Sequence, residues 1–128
     1  MRLLPDTHLL LWSASGDSRL SAEAVQLLSD YENEVYFSTI SIWEVAIKYA
    51  RGRPEFVSDP RMFRDGLLSH GYRELAVSSE HAIGVASLPT IHRDPFDRLL
   101  VAQALAEGLT LVTADVALAR YPGNICRV

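Results

Sequence analysis

Four carboxylates, Asp6, Glu44, Asp97 and Asp115, lie in four well-separated segments of this 128-residue chain. Brought together, such groups repel one another unless they are protonated or bridged by cations. The chain has no thiolate set and no HExxH or other histidine cluster, so hard divalent ions, Mg²⁺ or Mn²⁺, are the matching partners. A site of that kind can hold a phosphodiester and activate a water for in-line attack. Thr7, Ser41 and Thr113 place hydroxyls beside the acids, where they can bind an ion or orient a carboxylate. Arg93 and Arg98 flank the third acid and are candidates for phosphate contact, with a solvated ion pair to Asp94 or Glu107 as the alternative.

The elements that must position these residues follow from apolar patterning. HRDPFDRLLVAQA at 92–104 reads as a helix with Asp94 as N-cap, Pro95 at its first position and Gly108 as its stop. Only Asp97, Arg98, Gln103 and Glu107 interrupt its apolar surface, which predicts burial on more than one side. Short apolar strands are expected at 2–5, 35–38, 73–77 and 109–113, with ICRV at 125–128 as a last one. Helices are expected over about 7–14, from a cap at Ser21 to about 30, over about 40–50 and up to His70, with short ones after Ser78 or Ser79 and before Arg120. Residues 51–60 form the one long loop. This alternation implies a single α/β domain with a parallel sheet and helices on both faces.

In such sheets ligands bind beyond the carboxyl ends of the strands, where strand order reverses. Asp6 and Asp115 lie just past two strands, and Glu44 follows a third by about one and a half helical turns. Asp97 reaches the same rim on condition that its helix packs at an angle. Each acid also has a capping reading: Asp97 in a box with Asp94, Glu44 three residues after Ser41, and Asp6 and Asp115 as N-caps. The coincidence of all four at one predicted rim is what favours a site.

The formal charge of −4 argues against coating nucleic acid by bulk electrostatics. Lys48 is the only lysine, and all other cations are arginines, which suit bidentate phosphate contacts and ion pairs with a partner chain. A lone cysteine, Cys126, excludes an internal disulfide and fits a reducing compartment. The apolar start is too short for a membrane span or a signal peptide, so a cytoplasmic protein is expected. His8, His70, His81 and His92 share no metal or triad spacing and are assigned surface or packing roles; Trp12, Trp43 and Phe96 are assigned to the core.

Taken together and in order, MRLLPDTHLLLW, STISIWEVAIK, HRDPFDRLLVAQA and LTLVTAD resemble the PIN domain, in particular the VapC-like toxins of bacterial type II toxin-antitoxin pairs. The resemblance covers essentially the whole chain. It implies a Rossmann-like, three-layer α/β/α sandwich and a Mg²⁺- or Mn²⁺-dependent ribonuclease whose four acids fall on Asp6, Glu44, Asp97 and Asp115. It further implies an RNA substrate, a small VapB-like antitoxin that wraps the toxin and obstructs the acidic pocket, and a homodimer. Two other readings are set beside it. One is a catalytically silent module of the same fold that acts through a protein partner, which the two apolar stripes of the helix over 40–50 would allow. The other is a phosphatase or phospho-receiver; a receiver needs a lysine at its acidic pocket, and Lys48, well into that helix, reads as poorly placed.

Overall fold

The computed structural model describes residues 1–56 and 58–128. Its sheet grows from β1 (Arg2–Pro5), whose RLLP sequence carries an apolar run buried from Leu3 onward. A strand buried on both faces has no polar side to show, so it belongs at the centre of a parallel sheet. The chain moves outward on one side through β2 (Glu34–Ser38) and β3 (Arg73–Leu75), then returns to the other side of β1 with β4 (Thr110–Thr113) and β5 (Ile125–Arg127). The order is β3-β2-β1-β4-β5 with every pairing parallel. The reversal therefore falls between β1 and β4, registered by Leu4 opposite Leu111 and Pro5 opposite Val112.

Helices α1 (Thr7–Ser15), α2 (Ala22–Ser29), α3 (Thr39–Ala50), α4 (Pro60–Ser69), α5 (Ser79–Gly84) and α6 (Pro95–Glu107) complete the chain, with 3-10 turns at Val85–Ser87 and Leu118–Arg120. Strand alternation sorts the core into layers. Leu4 and Leu111 pack with Leu100, Val101 and Ala104 of α6 on one side of the sheet. Leu3, Val35 and Val112 pack with Leu9 and Leu28 on the other. A third cluster, with Leu10, Phe37, Val45, Phe56, Phe63 and Leu67, joins α1, α3 and α4. This is the expected sandwich of helices on both faces of a parallel sheet. Among the described residues no helix is long and apolar enough to cross a membrane.

Two features depart from the expectations in ways that shape the site. Strand β2 runs into α3 with no loop between them, so Ser38 rather than Ser41 is the N-cap, its hydroxyl accepting from the Ile40 amide at 3.0 Å. Ser41 and Glu44 are thereby left out of any capping box. The second is α6, which needs no special packing angle. Only Gly108 and Leu109 separate it from β4, so it runs antiparallel to that strand and its first turn lies at the carboxyl rim by topology alone. Gly108 makes the reversal in the left-handed region, at φ 66°, with its amide bonded to the Ala104 carbonyl.

Candidate metal centre and active site

Where β1 ends, the Asp6 amide still donates to the Val112 carbonyl at 2.9 Å, which fixes Asp6 beside β4 at the point of strand reversal. Its carboxylate caps α1 through the Leu9 amide at 3.0 Å and accepts the Thr113 hydroxyl at 2.5 Å. Burial nevertheless raises its pKa, against the lowering effect of those hydrogen bonds. The Thr113 hydroxyl in turn accepts the Asp115 amide at 3.0 Å, so one side chain sets two of the acids. Asp115 is exposed and caps the following turn through the Ala117 amide at 2.8 Å. On the neighbouring wall, the buried Thr7 hydroxyl donates to Ser41 at 2.9 Å and ties the first turn of α1 to that of α3.

Glu44 projects from α3 and is 2% exposed. One of its oxygens, Oε2, accepts Lys48 Nζ at 2.5 Å, while Oε1 is buried and has no hydrogen-bond partner among the described residues. Lys48 thus reaches the pocket that its sequence position seemed to deny it. Helical side chains lean toward the N-terminus, so a lysine one turn beyond Glu44 brings its ammonium back onto that carboxylate.

Asp97 enters from the first turn of α6. Asp94 does the capping, accepting the Phe96 and Asp97 amides at 2.9 and 3.2 Å, which leaves the Asp97 carboxyl free to face the other acids. Its pKa is pushed up to about 8, first by burial and then by the charges of Asp94, Asp6, Glu44 and Asp115. Those contributions place all four acids within electrostatic reach of one another, although they come from segments far apart in the chain.

His92, assigned only a surface or packing role from sequence, stands in the same pocket. Its Nε2 is 3.5 Å from Asp97 Oδ2. His92, Asp97 and Asp115 each offer a ligand atom within 4.8 Å of the others, whereas Asp6 and Glu44 line the wall on Thr113 and Lys48. The Tyr121 hydroxyl bonds both the amide and the carbonyl of His92 at 3.2 Å and receives the Arg98 guanidinium at 3.1 Å. Arg98 is further engaged by the Pro89 and Val85 carbonyls, so it braces the His92 loop and is not brought to the acids. Neither of its expected pairs, with Asp94 or Glu107, forms among the described residues. Arg93 is exposed beside the site. Trp43, expected in the core, is 58% exposed at the pocket edge, edge-on to Phe96 with ring centroids 5.4 Å apart.

Three buried side-chain polar atoms lack a hydrogen-bond partner among the described residues, Glu44 Oε1 and both ring nitrogens of His92, and all three belong to this pocket. Such atoms are rare in folded proteins because each carries an uncompensated desolvation cost of about 1–3 kcal/mol. A hard divalent cation fits the donor set: carboxylate oxygens dominate it, one buried oxygen has no partner among the described residues, and the repulsion that adds to burial in raising the Asp97 pKa would be offset. The imidazole is an acceptable borderline donor for Mn²⁺.

A family profile described as "PIN domain" matches residues 3–124. Ribonuclease VapC22 of Mycobacterium tuberculosis is 29% identical over 114 residues, covering 88% of this chain and 86% of that protein. Among solved structures, VapBC2 from Rickettsia felis bound to a DNA fragment from their promoter aligns with a TM-score of 0.73 at 19% identity, covering 99% of this chain and 98% of the other. A toxin-antitoxin complex from Klebsiella pneumoniae aligns with a TM-score of 0.64 at 23% identity, covering 97% and 95%. At these identities the two structural likenesses speak to the fold.

Proposed function

The chain belongs to the PIN-domain family, and from that premise we propose that it is a divalent-cation-dependent endoribonuclease, the toxin of a VapBC-type toxin-antitoxin pair in the cytoplasm. The observation that carries the reading is the acidic cluster: four carboxylates within electrostatic reach of one another at the carboxyl rim of the sheet, one of them with a buried oxygen that has no partner among the described residues. Asp6, Glu44, Asp97 and Asp115 would hold Mg²⁺ or Mn²⁺, with His92 as a further donor. When bound, the cation neutralises phosphodiester charge and supplies an activated water for hydrolysis. Thr113 holds Asp6 in place, and Thr7 with Ser41 locks the two helix starts that frame the pocket. The amides of the first turn of α6 add favourable potential for a phosphate, and Arg93 at the rim adds charge for the RNA backbone. Family membership, rather than the position of Lys48, is what favours this chemistry over phosphate transfer to an aspartate.

The reading extends to assembly. Ribonuclease VapC22 supports RNA as substrate by its name, and the toxin-antitoxin complex from Klebsiella pneumoniae supports an antitoxin as partner; a small VapB-like antitoxin acting on a homodimer of the toxin is part of the same proposal. RNA cleavage in Mn²⁺, with chelation as the control, tests the activity. The wild type is expected to cut and Asp6→Asn to be inactive. Equal cutting by both, or cutting that survives chelation, contradicts the proposal. A wild type that captures its antitoxin yet cuts no RNA would instead be a binding module.

A further inference from the structure

Lys48 is the one lysine of the chain, and its ammonium is paired with Glu44 of the acidic cluster. The Lys48 and Glu44 side chains are 18% and 3% exposed, and their contact is 2.5 Å. The ring of Phe56, from the loop after α3, lies 4.9 Å from the ammonium, and that of Phe96, from the first turn of α6, lies 5.6 Å away. An ammonium is strongly hydrated and seldom gives up water without compensation. Here a carboxylate and two aromatic faces replace the water, so the placement is built by three separate segments. The other oxygen of Glu44 remains buried and has no partner among the described residues.

Resting on the metal-site reading above, we propose that Lys48 is a positioning residue that acts as the internal counter-ion of the pocket, occupying on Glu44 the place for which a divalent cation competes. Four carboxylates with no cation among them would strain the fold, and one fixed ammonium relieves part of that repulsion before any metal arrives. The same ammonium repels an incoming divalent ion and engages half of its ligand. Binding of the ion and pairing of Lys48 with Glu44 are therefore linked with opposite sign, each weakening the other. Lys48 makes the metal-free protein stable and sets how much free metal is needed to load it. A lysine serving only to anchor α3 would also stabilise the metal-free protein but would leave its metal affinity unchanged.

The test is Mn²⁺ binding, read from the electron paramagnetic resonance signal of free Mn²⁺, with thermal melting of the same metal-free samples. Lys48→Met keeps the length of the side chain and its contact with the two rings but removes the charge. It is expected to bind Mn²⁺ roughly tenfold tighter than wild type or more, to melt lower without metal, and to recover most of that loss when Mn²⁺ is added. Lys48→Arg, which keeps the charge, is expected to bind Mn²⁺ no tighter than wild type. If Lys48→Met cannot be obtained folded, the wild type still decides. Lysine labelled with ¹³C reports a single residue, and its side-chain resonance is expected to move during Mg²⁺ titration with the midpoint of Mg²⁺ binding. A resonance that stays put while Mg²⁺ binds, or a Lys48→Met protein with unchanged or weaker Mn²⁺ affinity, overturns the proposal alone. A wild type that binds neither ion overturns the metal-site reading with it.

Discussion

Two buried polar clusters flank α6, and only one of them is closed. In the first, fully buried Ser38 and Gln103 are hydrogen-bonded through Oγ and Oε1, and Gln103 Nε2 lies 3.4 Å from His81 Nδ1. His81 Nδ1 also accepts the Ser78 amide at 3.0 Å, which leaves Nε2 to carry the proton donated to Glu107 at 2.8 Å. Each buried polar side-chain atom of Ser38, Gln103 and His81 has a partner, and the chain joins β2, α5 and α6. The second cluster is the acidic one, where among the described residues Glu44 Oε1 and the His92 ring nitrogens have none, and burial first and the neighbouring acids second push the Asp97 pKa up to about 8. A satisfied network stiffens the fold; an unsatisfied one of like charges stores an interaction for something not in the chain. The distinction between scaffold and site is drawn by which polar atoms are left over, more than by which residue types are buried.

Substitutions should separate the two. Asp97→Asn in the acidic cluster is expected to lower RNA cleavage by about a hundredfold or more while leaving the metal-free protein as stable as wild type or more so, because it removes a carboxyl that burial and four neighbouring acids keep from ionising. Cleavage rates and urea unfolding of one preparation check both halves, and a strongly destabilised variant would erase the contrast. Gln103→Ala in the closed network is expected to do the reverse. It strands the Ser38 hydroxyl and leaves a cavity where the fully buried Gln103 side chain was, and should cost roughly 2–4 kcal/mol in urea unfolding with metal affinity nearly unchanged. Thr113→Val is the intermediate case, since its hydroxyl serves Asp6 and the Asp115 amide together. A cost of about 1 kcal/mol with weaker Mn²⁺ binding is expected, and a loss of stability without any loss of binding would move Thr113 to the scaffold.

Much of the frame could be read from residue types. The caps at Asp94, Ser21 and Asp6, the stop at Gly108 and the apolar run of β1 are local signals, and local signals survive in a sequence. The acids were legible as a set because each follows or starts an element at the same end of a parallel sheet. Lys48, His92 and Gln103 carried no such signal. Lys48 reaches Glu44 through the backward lean of a helical side chain, and His92 is aimed by Tyr121, a hydroxyl 29 positions away. Gln103 looks like a polar break in an apolar helix until the Ser38 and His81 contacts are known. Arg98 and Trp43 erred in the other direction: a flanking arginine was bound by carbonyls behind the site, and an aromatic meant for the core was exposed at its edge. Side-chain partners at long sequence separation decide all of these.

The most direct test of the open pocket is the stability of the metal-free protein against pH, with and without Mn²⁺. Asp97 keeps its proton in the native state up to about pH 8, whereas its ordinary value is 3.8; the buried Asp6 is shifted in the same direction. Between those limits the native state binds the extra proton on Asp97, so stability is fully present below about pH 4 and falls as pH rises toward 8, by up to about 1.4 kcal/mol per pH unit from Asp97, with Asp6 acting in the same direction. Urea unfolding at pH 5 and pH 8 should show that fall in wild type and a shallower one in Asp97→Asn, and Mn²⁺ should restore wild-type stability most at pH 8. Stability that is level across this range and indifferent to Mn²⁺ would contradict the account.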